Sequence, residues 1–377
     1  MNDRRSLFTL DSTLTYLNHA SFGVPTRTAL RRADSERRRL EQDTATHLGA
    51  ELVQRLETQA AHVARRLRVP AGTLALTTSS TEGNAAVATS WPLSPGDHVL
   101  LLDLEYSSVI RAWQVAAERA GAAVDVAHLP PPVTQDGVLA AVSTAHPATT
   151  VVVLSAITSS TAVRMPVRDV VEACRRRGID VVLDAAHVVG HVPLDLSALG
   201  VTAAFGSLHK WLPVPRPVGF LWLADRLTDV VRPAAVSLTW DATSLVERFS
   251  WRGTWDPAPA LGLVHAFAEH DEWRLAGDLD SAVDVADTLA TGLVDAGLRP
   301  TADGALVPPR LRGFVVDGVP LQGLRTALAE HRVRAWTGAT PDGTPDGATL
   351  LRVATHVYND AADLGPLTGA LTAARDA

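Results

Sequence analysis

Sulfhydryl chemistry is nearly absent from this 377-residue chain. Its one cysteine, Cys174, excludes an internal disulfide and accords with a reducing compartment. Long apolar runs are missing too: none approaches the ~20 residues that cross a bilayer. Met1-Asn2-Asp3-Arg4-Arg5 leads into mixed polar and apolar sequence rather than a targeting segment, so a cytoplasmic location is expected. Excess positive charge is also lacking, with 34 Lys plus Arg against 41 Asp plus Glu and a net charge of −7. No global field therefore favours nucleic acid or an anionic membrane. The run Arg31-Arg32-Ala33-Asp34-Ser35-Glu36-Arg37-Arg38-Arg39 is interleaved with acids and reads as a solvated helix face. Neither internal repeats nor low-complexity linkers break the chain. Small-molecule work is what these absences leave.

What the chain does have is material for a large core: 46% hydrophobic and 20% charged residues, enough for two or more lobes. Short β-rich runs stand at 98–103, 123–126, 150–154, 180–184 and 218–223, and helical patterns at 106–120, 134–145 and 167–178 separate several of them. Such alternation, with nearly continuous apolar strands, predicts an α/β fold with a mainly parallel sheet flanked by helices. Ligands then sit at the carboxyl ends of the strands. From about residue 260 the pattern shifts to helices at 260–272 and 279–297, a strand near 313–316, a helix at 320–331 and a strand near 350–354. The expected division is an N-terminal arm (1–20) joining the small domain, a large domain (21–260) and a smaller C-terminal α+β domain (261–377). The stretch 340–347, with Pro-Asp-Gly twice, reads as a turn or loop.

Chemistry concentrates around a few strand ends. Phe205-Gly206-Ser207-Leu208-His209-Lys210-Trp211 sets a lysine just past a short apolar segment, and Asp184-Ala185-Ala186-His187 ends an earlier one. A lysine able to form a Schiff base and a carboxylate that keeps a pyridine nitrogen protonated are working parts of a pyridoxal 5′-phosphate (PLP) site. Thr77-Thr78-Ser79-Ser80-Thr81-Glu82-Gly83-Asn84 opens a helix expected over 82–90 and offers hydroxyls and free N–H groups to an anion. An ordinary Ser/Thr cap with Glu82 in the first turn explains the same letters. Ser207 and His209 flank the lysine and can reach the same phosphate. Tyr106 follows a strand end, where its ring can stack on the pyridine or simply be half-buried. His187 can hydrogen-bond the cofactor's phenolic oxygen. With His191 it also has the i, i+4 spacing of a zinc site, but the pair lacks a glutamate base and spans Gly190, so no metal is expected. Arg352 interrupts the strand-like Leu350-Leu351-Arg352-Val353-Ala354, and a guanidinium buried there needs a substrate carboxylate or a local acid as partner.

Taken in order, the residues resemble a known family. Tyr16 to Gly23, the Ser80/Thr81 loop, Glu105-Tyr106, Asp184 to His187, Ser207 to Trp211, Arg252-Gly253-Thr254 and Arg352 through Tyr358-Asn359 follow the order and spacing of class V aminotransferases, over nearly the whole chain. These are fold type I PLP enzymes, a group with cysteine desulfurases, isopenicillin N epimerase and carbon–sulfur lyases. The resemblance implies a seven-stranded, mainly parallel sheet and PLP as cofactor. It implies Lys210 as the Schiff-base lysine, Asp184 at the pyridine nitrogen, His187 at the phenolic oxygen and Tyr106 stacked on the ring. Ser80, Thr81, Ser207 and His209 fall on phosphate-binding positions. Thr254 falls where the family reaches across a dimer to the partner's phosphate, and Arg352 where it holds the substrate carboxylate. A homodimer with two shared sites would follow.

Departures from the family pattern narrow the expected activity. Desulfurases carry a nucleophilic cysteine before the Arg352-type strand, whereas Ala335-Trp336-Thr337-Gly338-Ala339 has none, and Cys174 lies on an apparent amphipathic helix elsewhere. Ala156 stands where relatives often have Asn or His near the ring. Trp255 replaces a residue that is often Arg, in a segment similar to the isopenicillin N epimerase branch. Asn18, Trp255 and Trp336 join Arg352 as candidate substrate contacts, and Trp240 and Trp251 are further candidates for a pocket wall. His19 is the candidate second acid/base, or else an anchor of the arm. The expected activity is C–S β-elimination of a cysteine S-conjugate in natural-product or low-molecular-weight-thiol biosynthesis. Epimerisation and decarboxylation-coupled oxidative deamination at the same centre are the alternatives, and a non-catalytic PLP carrier or regulator is the alternative of another class.

Overall fold

In the computed structural model, residues 3–340 and 348–377 are described. Of the stretch 340–347 read as a turn, all but Thr340 lies outside them. The arm contributes β1 (Thr15–Tyr16). The central sheet is built from β2 (Leu74–Thr77), β3 (His98–Leu102), β4 (Ala123–Ala127), β5 (Thr149–Ser155), β6 (Asp180–Asp184), β7 (Ala203–Ser207) and β8 (Gly219–Leu223). Their order is β2-β8-β7-β6-β5-β3-β4. Strands β3 to β7 pair in parallel, and β8 runs antiparallel to both its neighbours, β7 and β2.

Alternation along the strands explains why helices cover both faces. Leu100, Leu102, Val152, Leu154, Val181 and Leu183 join one buried cluster. Their chain neighbours Val99, Leu101, Val151, Val153 and Val182 join another on the opposite face. Successive side chains of a strand point to opposite faces, so a strand buried on both sides must be apolar at every position. Each such Val or Leu contributes about 1.5–3 kcal/mol when fully removed from water.

The C-terminal part holds β9 (Arg299–Pro300), β10 (Leu311–Val316), β11 (Val333–Arg334), β12 (Trp336–Ala339) and β13 (Thr349–Ala354). Four of these form an antiparallel sheet in the order β12-β13-β10-β9. A third core, including Leu289, Leu293, Phe314, Leu351 and Leu367, joins it to the helices Asp278–Asp295 and Leu364–Asp376. The arm is woven into this part: β1 pairs with β11, and the Ala354 N–H donates to the Leu17 carbonyl at 2.8 Å.

All five strands expected in the large sheet are present. One more, β2, had no strand signal of its own, being only four residues long, and β7 corresponds to the short apolar segment expected before Lys210. The helix expected at 82–90 begins earlier, at Ser80, and that expected at 260–272 is divided at Gly262 into Ala258–Leu261 and Leu263–Leu275. No helix among the described residues is long and apolar enough to cross a membrane. The carboxyl ends of β5, β6 and β7 meet the helix Ser80–Ser90 from one side and β13 from another, and the cavity between them is the candidate site.

Candidate active site

One end of the cavity is made of hydroxyls. Ser79 caps the helix Ser80–Ser90, its Oγ accepting from the Glu82 N–H at 3.4 Å. This leaves the next residue free to face the cavity: Ser80 Oγ lies 2.6 Å from Ser207 Oγ, and the Ser80 N–H donates to the same oxygen at 3.3 Å. The contact between β7 and this helix depends on Gly83, where a Cβ would stand 2.7 Å from Phe205 Cβ. Thr81 and His209 line the same end. His209 Nδ1 lies 2.7 Å from the Val218 carbonyl and 3.2 Å from the Val218 nitrogen, so that edge of the ring is engaged by Val218. Burial lowers its pKa to about 4.

Lys210 is the chain's only lysine. Its Nζ lies 3.1 Å from His187 Nε2. Burial lowers the amine's pKa to about 8; the Asp184 carboxylate opposes that shift and the Arg352 charge adds to it. Asp184, at the end of β6, is pushed up to about 6 by burial, restrained by the Ala186 N–H and by Lys210. His187 is held neutral by burial and the neighbouring cations, and its Nδ1 has no partner among the described residues. Tyr106 also lines the cavity and stays half exposed, at 51%.

Glu105 is a site neighbour whose role the sequence did not disclose. Its carboxyl group accepts the Ser155 N–H at 2.9 Å and the Ser155 hydroxyl at 2.5 Å. Ser155 lies in register with Asp184 across β5 and β6. Burial raises Glu105 to about 8, and the Asp184 charge adds to the rise. A lone acid next to the candidate stacking residue was its one sequence signal.

The far end of the cavity belongs to Arg352, on β13. Its Nη2 donates to Asn18 Oδ1 at 3.1 Å and to Ser21 Oγ at 2.7 Å, and Nη1 donates to the Ser159 carbonyl. No carboxylate lies within ion-pair distance among the described residues; burial alone lowers the guanidinium to about 9. The local salt bridge that was the alternative for this arginine is thus not formed. Trp336, opposite Arg352 in the β12–β13 register, holds its ring under the guanidinium at 5.3 Å. An arginine held flat by a ring and short of a counter-charge suits a carboxylate.

Several candidates stand elsewhere. His19 does not line the cavity: it is buried in an aromatic cluster, with Nδ1 2.9 Å from the Tyr358 hydroxyl and its ring stacked on His356 at 3.9 Å. This is the arm-anchoring geometry. Trp255 packs against Arg252 and donates to the Ser250 carbonyl, outside the cavity. Trp240 donates to the Pro233 carbonyl, and Trp251 packs against the large core. Thr254 is exposed and does not line its own chain's cavity. Ala156 lines a neighbouring concavity, and Ile157 takes the cavity side. Residues 187–191 form turns rather than a helix, and His191 contacts the His187 carbonyl and the Arg310 N–H.

The cavity, about 400 Å³, therefore has a hydroxyl-lined helix N-terminus, an amine, a buried carboxylate and a buried guanidinium in line. These residues fit PLP: the helix end suits its phosphate, Lys210 its aldehyde and Asp184 its ring N–H.

Residues 32–365 match the family model described as aminotransferase class-V. Isopenicillin N epimerase of Amycolatopsis lactamdurans is 30% identical, with 97% of this chain and 96% of that one covered. The isopenicillin N epimerase of Streptomyces clavuligerus is 28% identical, with 98% and 97% covered. Among solved structures, a C-DES variant with glycine covalently linked to its PLP cofactor superimposes with a TM-score of 0.83. It is 22% identical over 98% of this chain and 99% of that one.

Proposed function

The chain belongs to the class-V aminotransferase family of PLP-dependent enzymes, and from that premise we propose that it removes the α-proton of an amino-acid-bearing substrate and expels sulfur from Cβ. The observation that supports this most is one cavity holding both Arg352, without a carboxylate partner among the described residues, and Lys210, whose amine burial brings down to about 8 from the ordinary lysine range. Arg352 takes the substrate carboxylate in a two-point contact, with Trp336 behind it and Asn18 and Ser21 fixing its plane. Lys210 takes the α-proton, and His187 Nε2, 3.1 Å away, accepts a hydrogen bond from the protonated amine. When bound, PLP supplies the electron sink for the pair left at Cα, and Asp184 keeps its ring nitrogen protonated. The Cβ–S bond then breaks with its electron pair leaving on sulfur, and hydrolysis of the remainder yields pyruvate and ammonia.

Lys210 and His187 are adjacent, so the cavity offers one place for proton transfer. Elimination needs one such place; a two-base epimerisation needs a second, on the other side of Cα. With His19 in the aromatic cluster, Tyr106 is the residue left for that second role. Epimerisation is the second reading, favoured by the two full-length relatives of that name. Thr254 is exposed and does not line its own chain's cavity, which is consistent with a homodimer whose partner's site it completes.

Incubation of the holoenzyme with S-alkyl cysteines in deuterium oxide separates the readings. Pyruvate release supports elimination. Deuterium at Cα of recovered, inverted substrate, lost in Tyr106→Phe, supports epimerisation. Spectral change with neither outcome would leave a carrier. The carboxylate role is tested by Arg352→Ala, expected to lower kcat/KM about 100-fold or more for α-carboxylate substrates and far less for decarboxylated analogues. Equal losses would sink it.

A further inference from the structure

Glu82 is awkwardly placed for a protein that binds phosphate. It sits in the first turn of the helix Ser80–Ser90, whose start faces the hydroxyl-lined end of the cavity. A free carboxylate there repels a dianion. Yet its side chain is used for shaping: Oε2 accepts the Thr78 N–H at 2.6 Å and the Thr78 hydroxyl at 2.7 Å, fixing the bend Thr78-Ser79 before the helix.

The other oxygen, Oε1, meets Arg252 Nε at 3.2 Å, an ion pair by proximity rather than an aligned hydrogen bond. The two side chains are only 14% and 21% exposed. Arg252 is itself held in place: Nη2 donates to the Leu76 carbonyl at 3.1 Å and to the Phe249 carbonyl, and the guanidinium lies over Trp255 at 4.3 Å. Burial lowers its pKa, and Glu82 opposes that shift.

We propose that Arg252 and Glu82 are the positioning pair of the phosphate turn: Glu82 shapes the turn through Thr78, and Arg252 cancels the charge this introduces, so that the turn accepts a dianionic phosphate monoester. The inference rests on the PLP reading of the site. It gives Trp255 a task outside the cavity, as the surface on which Arg252 lies.

The test compares dissociation constants of PLP and of pyridoxal, which lacks the phosphate, for the full chain and its variants. Arg252→Met leaves Glu82 uncompensated and should weaken PLP about 10- to 100-fold while changing pyridoxal less than about threefold. Adding Glu82→Gln to Arg252→Met should restore most of the PLP affinity. Glu82→Gln alone keeps an acceptor for Thr78 and should leave PLP affinity equal or higher. The proposal is overturned if Arg252→Met weakens both ligands alike, if the double variant binds PLP no better than Arg252→Met, or if Glu82→Gln alone loses about tenfold. Failure of the underlying reading looks different: the wild-type chain would then yield no borohydride-trapped PLP on Lys210.

Discussion

Lys210 is the only side-chain amine in the chain, which makes its chemistry unusually easy to isolate. Borohydride reduction of the PLP-loaded protein should place the label on one internal peptide, that containing Lys210. Lys210→Ala should lose this label, the visible band of the bound cofactor and about 1,000-fold or more of kcat, measured by peptide mapping and steady-state kinetics. Asp184 offers a test without cofactor. Its folded pKa, about 6, exceeds the ordinary 3.8, so the folded state holds a proton the unfolded state has released. The contribution of Asp184 to stability is therefore greatest below about pH 4, falls as pH rises toward 6 and stays lowered above. Asp184→Asn removes the buried charge, so it should raise the thermal midpoint of the cofactor-free protein above pH 6 and leave it nearly unchanged near pH 4. About 2–4 °C per kcal/mol is the expected scale. PLP affinity should fall in the same variant.

At the level of elements, the site depends on how closely the helix Ser80–Ser90 approaches β7. Gly83→Ala inserts a methyl group 2.7 Å from Phe205 Cβ, two packed elements with little room to yield. The expected cost is about 1–3 kcal/mol in chemical denaturation. Weaker PLP binding should accompany it, since the Ser80–Ser207 contact is prised apart. The sequence disclosed the strands whose apolar runs are long and β-branched, such as 150–154 and 180–184. It concealed β2, because Leu-Ala-Leu-Thr is short and pairs with β8, far along the chain, while β7 was legible only as the short apolar segment before Lys210. Site residues that follow strand ends, including Lys210, Asp184, Tyr106 and Arg352, were legible because topology brings strand ends together. Trp240, Trp251 and Trp255 were not placed well: nearness to a motif along the chain says nothing of which way a ring faces. Asn18 and His19 make the same point, since one turns into the cavity and its neighbour into the aromatic cluster.

At the scale of the molecule, the arm adds contacts between two regions that Arg352 and Arg310 also join, through the carbonyls of Ser159 and Gly190. β1 pairs with β11, Asn18 bonds Arg352, and Arg216 donates to the carbonyls of Phe22 and Gly23. Removing residues 1–14 should loosen β1 and release Asn18 and Ser21 from Arg352. The expected result is a KM about tenfold higher for α-carboxylate substrates and a lower thermal midpoint, with the cofactor's visible band retained. A shortened chain that loses the band and the KM effect together would show that the arm supports both ends of the cavity alike.

That geometry also sets an order of assembly. Thr78 through Arg252, with β8 among them, is one continuous stretch of chain, so the cofactor half can form once that stretch has left the ribosome. The substrate half needs Asn18 and Arg352, separated by 334 positions. Contacts of such separation close late. A growing chain can therefore hold its cofactor before it can grip a carboxylate, and amino-acid chemistry waits until β13 has been made.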